Sequence, residues 1–251
     1  MDSAKFRFYA ELNDFLPPER RGKTFPYAFA PGTSVKHAIE AIGVPHTEVD
    51  LLLVNGEPAD FGRRLADGDR VSVFPFFASI DIAPATRVRA APAEEVRFVL
   101  DCHLGRLAKY LRILGFDALY TNRCGDEELA AISAGEQRVL LTMDKGLLMH
   151  ASVERGYYVR ESRPERQLLE VMRRFRLFGA ARPLERCLRC NTRLAGVSKQ
   201  EILERIPPRV RERCEEYFGC PSCGRIYWRG SHYGRMQHFI ESVYRRSYRP
   251  M

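Results

Sequence analysis

The sequence predicts an α/β protein in three parts: a small α+β domain at residues 1–79, a parallel-sheet domain at 96–180 and a cysteine-rich basic segment at 181–251. Two observations lead to this prediction. Over 96–180, short apolar runs alternate with amphipathic helical stretches, as in parallel strands joined by crossover helices. Where that alternation ends, two CxxC pairs and an excess of arginine begin.

The composition is that of a globular protein that stays out of membranes. Of the 251 residues, 45% are hydrophobic and 29% are charged, which is typical of soluble domains. The longest uncharged apolar run, VSVFPFFASI, has ten residues, whereas a bilayer-spanning helix needs about 20. The first residues, MDSAKFRFYAELND, hold early acids and no apolar signal segment. We therefore expect a cytoplasmic protein without membrane association.

The net charge of +8 is concentrated at one end of the chain. Residues 1–80 sum to −2 and residues 81–180 to +2, whereas residues 181–251 sum to +8, and 14 of their 15 cations are arginine. Arginine binds phosphate through paired hydrogen bonds. The C-terminal segment therefore indicates nucleic acid as a partner, with an ordinary solvated surface as the alternative.

Residues 1–79 predict the order strand, strand, helix, strand, strand. KFRFYAEL alternates apolar and polar residues, as a half-buried strand does. Thr33 or Ser34 can cap a helix with apolar residues at helical spacing. LLLV then enters the hairpin-type turn Asn55-Gly56, and RVSVFPFF gives the last strand. This order resembles a ubiquitin-like β-grasp fold.

The same domain is similar to the small sulfur-carrier proteins, through the stretch that begins APGTSVKHAIEAIGV. Those carriers end in a Gly-Gly pair that is adenylated, whereas here the matching strand continues into FASIDIAP. Carrier chemistry is therefore not expected. A docking domain for a protein partner is the preferred interpretation, and a scaffold for sulfur transfer or RNA modification is the alternative.

Residues 80–95 contain two prolines and no apolar periodicity, which predicts a linker. The domain that follows has four predicted strands: VRFVL, FDALY, RVLLT and GYYVR. Its predicted helices are LGRLAKYLRIL, DEELAAISA, GLLMHAS and ERQLLEVMRRFRLF. Gly115 is expected to end the first of these helices.

Acidic residues follow three of these strands. Asp101 ends the first strand, Asp126 and Glu127 follow the second, and Asp144 lies just past the third. Parallel sheets bind ligands at the carboxyl ends of their strands, so neighbouring strands would bring these carboxylates together. Such a group suits Mg²⁺ or Mn²⁺ and hence hydrolysis of a phosphodiester. The alternative for each aspartate is a helix cap.

Arg106, Lys109 and Arg112 follow Asp101 at a spacing of three. A row of cations on the polar face of a helix predicts contacts with an RNA backbone. An exposed helix face with no partner is the alternative.

Two CxxC pairs, Cys187 with Cys190 and Cys220 with Cys223, are separated by 29 residues. Four thiolates predict a tetrahedral Zn²⁺ site, and four protein ligands make that zinc structural. The spacer, with KQEILERI and RVRERCEEYF around a Pro-Pro pair, is expected to form helical turns. A redox role for the pairs is the weaker alternative.

Aromatic residues and arginine alternate after the second pair, in GRIYWRGSHYGRM. Such a pattern suits stacking on unpaired bases. We predict that Trp228, Arg229 and His232 contact RNA, and packing of Trp228 over the zinc knuckle is the alternative.

Several of these stretches together resemble the Mut-seven C-terminal RNase domain family, a PIN-like fold with an appended zinc ribbon. They are FVLDCHLGRLAKYLRILGFD, GDEEL, LLTMDKGLL, RQL, RCLRCN and CPSCGRIYWRGSH. Residues 1–79 resemble the ubiquitin-like domain that precedes it in bacterial members. The resemblance implies a metal-dependent ribonuclease, with Asp101, Asp126 and Asp144 as its metal-binding acids. A non-catalytic RNA-binding adaptor is the second hypothesis.

Overall fold

The computed structural model describes residues 1–76, 88, 96–230, 234 and 241. The described residues form two compact units, and each unit combines two separate parts of the chain. The first unit takes its residues from Met1–Glu95 and Asp126–Tyr158. The second takes them from Val96–Gly125 and Val159–Met251.

Strands and helices alternate over residues 98–174, as the sequence predicts for the domain at 96–180. The strands are β1 (Asp2–Phe8), β2 (Phe25–Phe29), β3 (Leu51–Val54), β4 (Glu57–Pro58), β5 (Arg70–Phe74), β6 (Phe98–Leu100), β7 (Ala118–Tyr120), β8 (Val139–Thr142), β9 (Gly156–Tyr158), β10 (Ala195–Gly196), β11 (Tyr217–Gly219) and β12 (Ile226–Trp228). The α-helices are α1 (Val35–Ile42), α2 (Gly105–Ile113), α3 (Asp126–Gly135), α4 (Lys145–Leu148), α5 (Pro164–Arg174) and α6 (Pro208–Arg213).

The N-terminal part of the first unit is a ubiquitin-like β-grasp. Its five-stranded sheet has the order β2-β1-β5-β3-β4. The first strand runs antiparallel to β2 and parallel to β5, so the first and last strands of the domain lie side by side within the sheet. Helix α1 begins at Ser34, whose Oγ accepts a hydrogen bond from the His37 amide. The predicted β-grasp fold is confirmed.

The first strand is shorter than the alternation in KFRFYAEL predicts. It ends at Phe8, and Ala10–Phe15 forms a 3₁₀ helix instead. Leu12 and Phe15 are three positions apart and are both buried in the β-grasp core. A spacing of three places both side chains on one face of a 3₁₀ turn, so their burial determines the local structure.

The remaining part of the first unit, α3 to β9, contains a parallel pair of strands, β8 and β9. It packs against the β-grasp through a short 3₁₀ turn at His46–Glu48. The two ring nitrogens of His46 lie 2.7 Å from Glu40 Oε1 and 2.8 Å from the Val153 carbonyl oxygen. The Tyr158 amide donates a hydrogen bond of 2.6 Å to Glu48 Oε1. Buried polar contacts therefore hold this segment to the N-terminal domain.

Replacing His46 by Ala is expected to loosen this contact. His46 is only 5% exposed, so its loss leaves the Val153 carbonyl and the Glu40 carboxylate without their partner, at a cost of about 1–3 kcal/mol. Hydrogen exchange should therefore accelerate at the amides of residues 153–158. His37→Ala, an exposed histidine on α1, is the matched control. Equal hydrogen-exchange rates at these amides in the two variants would contradict the proposed contact with His46.

In the second unit, β6 and β7 form a parallel pair joined by α2. The predicted apolar face of α2 is buried, from Leu104 to Leu114. Gly115 follows with φ of 88°, and a Cβ there would lie 2.0 Å from the Arg182 carbonyl oxygen. The prediction that Gly115 ends this helix is therefore confirmed.

The C-terminal part of the second unit contains a three-stranded sheet in the order β10-β11-β12. The spacer between the two CxxC pairs forms a 3₁₀ helix at Gln200–Arg205 and then α6. The prediction of helix for all of RVRERCEEYF is wrong at its end, because Tyr217 begins β11. Tyr217 is buried there with Ile202, Ile206 and Cys214, as a strand facing a small core requires.

The predicted linker at 80–95 lies outside the described residues except for Val88. None of the helices in the described ranges has the length and apolar character needed to cross a bilayer.

Candidate functional site

Asp101 lies at the carboxyl end of β6 and is 6% exposed. It is the N-cap residue of a 3₁₀ turn, Cys102–Leu104, but its side chain makes no capping hydrogen bond. The turn is closed by the backbone, through the Leu104 amide and the Asp101 carbonyl at 2.9 Å. The capping alternative therefore does not explain this aspartate.

The two residues after Asp101 also carry metal-binding atoms. Ligand atoms of Asp101, Cys102 and His103 all lie within 4.8 Å of one another. Cys102 and His103 are exposed, in contrast to Asp101. A hydrogen bond with the Asp101 carboxylate, together with burial and the nearby charge, raises the pKa of the Cys102 thiol.

The other predicted acids are exposed residues of the first unit. Asp126 and Glu127 form the first turn of α3. Asp144 is the N-cap of α4, where its Oδ1 accepts a hydrogen bond of 2.7 Å from the Gly146 amide. This is the capping role proposed as an alternative for Asp144. A carboxylate has about four acceptor positions, so the cap leaves capacity for a cation.

The four predicted zinc ligands come together, because Cys187, Cys190, Cys220 and Cys223 have sulfur atoms within 4.8 Å of one another. Cys187 Sγ is 3.5 Å from Cys223 Sγ, and Cys190 Sγ is 3.4 Å from Cys220 Sγ. The sulfur atoms of a tetrahedral zinc site are about 3.8 Å apart when each Zn–S distance is about 2.3 Å. The sulfur positions therefore fit a zinc ion.

The electrostatics of this group also suit a cation. Burial raises the pKa of the Cys190 thiol, but hydrogen bonds with Thr192 and the neighbouring thiols lower it to about 6. The backbone at Arg225 lowers the pKa of Cys223, but burial and hydrogen bonds with the other thiols outweigh it and raise that pKa to about 12. At Cys187 burial also raises the pKa, but hydrogen bonds with the Tyr227 hydroxyl and with backbone amides lower it overall. Because metal ions bind thiolates, the lowered pKa values of Cys187 and Cys190 favour a bound cation.

The first cysteine pair is anchored to the start of β7 by a buried polar network. Asn191 Nδ2 donates a hydrogen bond of 2.7 Å to Asp117 Oδ1, and the Ala118 amide donates one of 3.0 Å to Asn191 Oδ1. Arg186 Nη2 lies 3.1 Å from Asp117 Oδ2. Because these groups are buried and paired, the cysteine pair has a fixed position relative to β7.

Arg112 is part of this anchor and not an exposed cation, contrary to the prediction from its spacing. It is 4% exposed, and its Nε donates to the Ala118 carbonyl at 2.8 Å. Its Nη1 donates to the carbonyls of Leu188 and Arg189, at 3.2 and 2.8 Å. Burial lowers the pKa of Arg112, and the nearby Cys187 and Cys190 sulfurs act in the opposite direction.

The helical repeat explains why Arg112 differs from the other two cations. At about 100° per residue, a position six residues after Arg106 is turned about 120° from it around the helix. Arg106 and Lys109 are exposed, as predicted, whereas Arg112 turns into the protein. A guanidinium that is buried against three carbonyls has no face for a phosphate, so we exclude Arg112 from the RNA contacts.

Replacing Arg112 by Met should destabilise the second unit by at least about 3 kcal/mol, because three carbonyls lose their donor at about 1–3 kcal/mol each. The apparent melting temperature should fall by at least about 6 °C. Arg106→Met removes the same charge from the exposed face of α2 and serves as the matched control. If both variants have the melting temperature of the wild type, the assignment of Arg112 as a buried structural residue is wrong.

The predicted RNA contacts after the second cysteine pair have different surroundings. Trp228 is half-buried and packs against the apolar cluster of Ile202 and Tyr217. A Cβ on Gly230 would lie 2.8 Å from the indole, so a glycine is needed beside the ring. Arg229 is exposed and lies 3.1 Å from Glu216 Oε2. His232 lies outside the described residues.

Sequence reasoning missed two contributors to these sites. It counted Tyr227 only among the aromatic residues suited to base stacking. The Tyr227 hydroxyl instead lies 3.2 Å from Cys187 Sγ and accepts a hydrogen bond of 3.2 Å from the Leu188 amide. Sequence reasoning also did not group Cys102 and His103 with Asp101. The alternation in IYW marks Tyr227 as a strand residue on the face opposite its neighbours, whereas no periodic pattern relates three consecutive residues.

The fold and the clustered residues define a class of protein: a ubiquitin-like domain followed by an α/β domain that carries a four-cysteine ribbon. Comparison with family models matches residues 96–240 to the Mut7-C RNAse domain and residues 1–81 to the Mut7-C ubiquitin domain. The chain therefore belongs to the Mut7-C RNAse domain family. No curated protein and no solved structure matches it.

Proposed function

We propose that this protein is a metal-dependent ribonuclease. The observation that carries the proposal is its membership of a family defined by an RNase domain. In this proposal Asp101, Asp126 and Asp144 bind Mg²⁺ or Mn²⁺, and Glu127 is an additional acid. A bound ion of this kind lowers the pKa of a water and offsets negative charge in phosphodiester hydrolysis.

Asp101 supports the proposal most strongly. Asp101 is buried at the carboxyl end of a parallel strand, and its side chain makes no capping hydrogen bond to the turn that follows. Parallel sheets bind ligands at that end of their strands, which supports a metal-binding role for this residue. Its oxygen atoms are hard donors, which Mg²⁺ and Mn²⁺ prefer. The role of Asp101 in this proposal is to hold the cation and, through it, the reacting phosphate.

We further propose that Cys187, Cys190, Cys220 and Cys223 hold one Zn²⁺ with a structural role. The sulfur separations of 3.4 and 3.5 Å support this assignment, and four protein ligands leave no coordination position for a substrate. Reduced thiols are stable in the cytoplasm, which is the location that we propose for the protein.

RNA is the proposed substrate, and its backbone is proposed to contact Arg106 and Lys109, the two exposed cations of α2. Trp228 and Arg229 remain proposed contacts at the ribbon. The ubiquitin-like domain is proposed to bind a protein partner, since its sequence lacks the terminal Gly-Gly pair that carrier chemistry needs.

The affinity for single-stranded RNA should fall with salt, because phosphate contacts release counterions. The double variant Arg106→Ala/Lys109→Ala removes two phosphate contacts. The negative slope of log K against log salt should therefore become less steep, by about 1.4. Lys23→Ala/Arg63→Ala removes the same charge from exposed positions of the N-terminal domain and should leave the slope unchanged. Fluorescence anisotropy over a range of salt concentrations measures this slope. Identical slopes for both double variants would show that α2 does not contact the RNA backbone.

The experiment that tests the proposed function is RNA cleavage by protein that holds one equivalent of Zn²⁺, enough to fill the four-cysteine group, and has been stripped of all other metal. Cleavage of single-stranded and structured RNAs should be absent without added metal and restored by Mn²⁺ or Mg²⁺. If RNA is bound but never cleaved under any of these conditions, the protein is an RNA-binding adaptor and the ribonuclease proposal fails.

A further inference from the structure

We propose that Asp101, Cys102 and His103 form a second metal site, which selects a borderline divalent ion such as Zn²⁺ or Co²⁺ over Mg²⁺. The site shares Asp101 with the proposed ribonuclease, so the inference deepens the proposed function and depends on it for any link to RNA cleavage. The binding of the ion itself is a property of these three residues.

The geometry supports a common ion. One carboxylate oxygen, one sulfur and one imidazole nitrogen all lie within 4.8 Å of one another. Ligands of a tetrahedral Zn²⁺ ion are about 3.3–3.8 Å apart, given bond lengths of about 2.0–2.3 Å. The Cys102 and His103 side chains are exposed, so they can rotate to bring the three ligand atoms from within 4.8 Å to these shorter separations. The buried Asp101 then provides the fixed ligand.

The backbone of this turn is held in place by its surroundings. Tyr120, at the end of β7, donates a hydrogen bond of 3.0 Å from its hydroxyl to the Cys102 carbonyl oxygen. The same hydroxyl lies only 2.7 Å from where a Cβ would stand on Gly105, so a larger residue at the start of α2 would displace the Tyr120 ring from this contact. The turn that carries the three ligands is thus fixed on the side facing Tyr120, and Cys102 and His103 remain accessible to an ion from solvent.

The donor types decide which ion is bound. Mg²⁺ requires oxygen ligands, whereas thiolate and imidazole favour Zn²⁺, Co²⁺ and related ions. Three protein ligands leave one tetrahedral position for water, which distinguishes this site from the closed four-cysteine group. At Asp101 the ion order should therefore be Zn²⁺ and Co²⁺ above Mn²⁺, with Mg²⁺ weakest.

Cobalt titration tests the site without RNA. Reduced protein is first loaded with one equivalent of Zn²⁺, which fills the four-cysteine group, and Co²⁺ is then added. We expect one further equivalent to bind, with a thiolate-to-cobalt charge-transfer band that millimolar Mg²⁺ does not displace. Cys102→Ser should lose the band, and His103→Asn should weaken Co²⁺ binding at least about tenfold.

Cys124→Ser is the matched control, because Cys124 is a partly accessible cysteine of the same unit that lies outside both ligand groups. It should bind cobalt as the wild type does. The absence of a second equivalent, or a band that persists in Cys102→Ser, would overturn the proposal. If cobalt binds but RNA is never cleaved, the metal-site proposal stands and the ribonuclease proposal fails. If RNA is cleaved with Mg²⁺ but no cobalt site is found, the ribonuclease proposal stands and the metal-site proposal fails.

Discussion

Asp101→Asn is expected to lower the rate of metal-dependent RNA cleavage at least about 100-fold. Loss of a residue that only orients a metal ligand already costs about 10–100-fold, and Asp101 is proposed as a ligand itself. Asparagine keeps the size of the side chain and removes its charge, so the buried end of β6 should stay folded. The measurement is a single-turnover cleavage rate in Mn²⁺, with thermal unfolding of the same preparation.

Asp14→Asn is the control for this variant, because it makes the same chemical change at an exposed position of the N-terminal domain. It should cleave RNA at the wild-type rate. A wild-type rate in Asp101→Asn would exclude Asp101 from catalysis.

Removing the proposed structural zinc is the second change with a large expected effect. A structural zinc contributes about 10–16 kcal/mol of binding free energy in zinc-finger peptides near neutral pH, which is comparable to the whole stability of a domain. Chelation under reducing conditions should therefore unfold the β10–β12 sheet. The effect should extend to the end of α2, because Arg112 donates hydrogen bonds to the carbonyls of Leu188 and Arg189.

Cysteine variants give this prediction a matched comparison. Cys220 and Cys214 are both buried in the ribbon, but only Cys220 belongs to the four-cysteine group. Cys220→Ser should be purified without stoichiometric zinc and should be cut rapidly by protease within residues 181–230, whereas Cys214→Ser should retain one zinc. Equal zinc content and equal proteolysis in the two variants would contradict a four-cysteine site.

The elements of the fold were predictable because each has its own hydrophobic period. The α2 face from Leu104 to Leu114 repeats every three or four residues, and the apolar runs of β6 and β8 are too short for anything but buried strands. The prediction of the first strand failed at its end, because the burial of particular side chains, and not the alternation of apolar residues, determines the local structure there. Leu12, predicted at the end of a strand, reaches the core from a 3₁₀ turn instead.

The candidate sites were predictable to the extent that spacing determines position. A CxxC pair brings two sulfurs together locally, and the ligand chemistry of four cysteines then requires that the pairs meet. Arg112 was mispredicted because a cation six residues further along a helix no longer shares the face of the first. Cys102 and His103 were not grouped with Asp101 because neighbours in a regular helix or strand point apart, and only the turn after β6 places their ligand atoms together.

The most direct test of the ribonuclease assignment is to follow RNA binding and RNA cleavage in one sample, with Mn²⁺ present and zinc bound. Wild-type protein is compared with the double variant Asp101→Asn/Asp144→Asn. The account predicts that both proteins bind the RNA with similar affinity and that only the wild type cleaves it. Cleavage by the double variant at the wild-type rate, or binding by the wild type with no cleavage, would contradict the assignment.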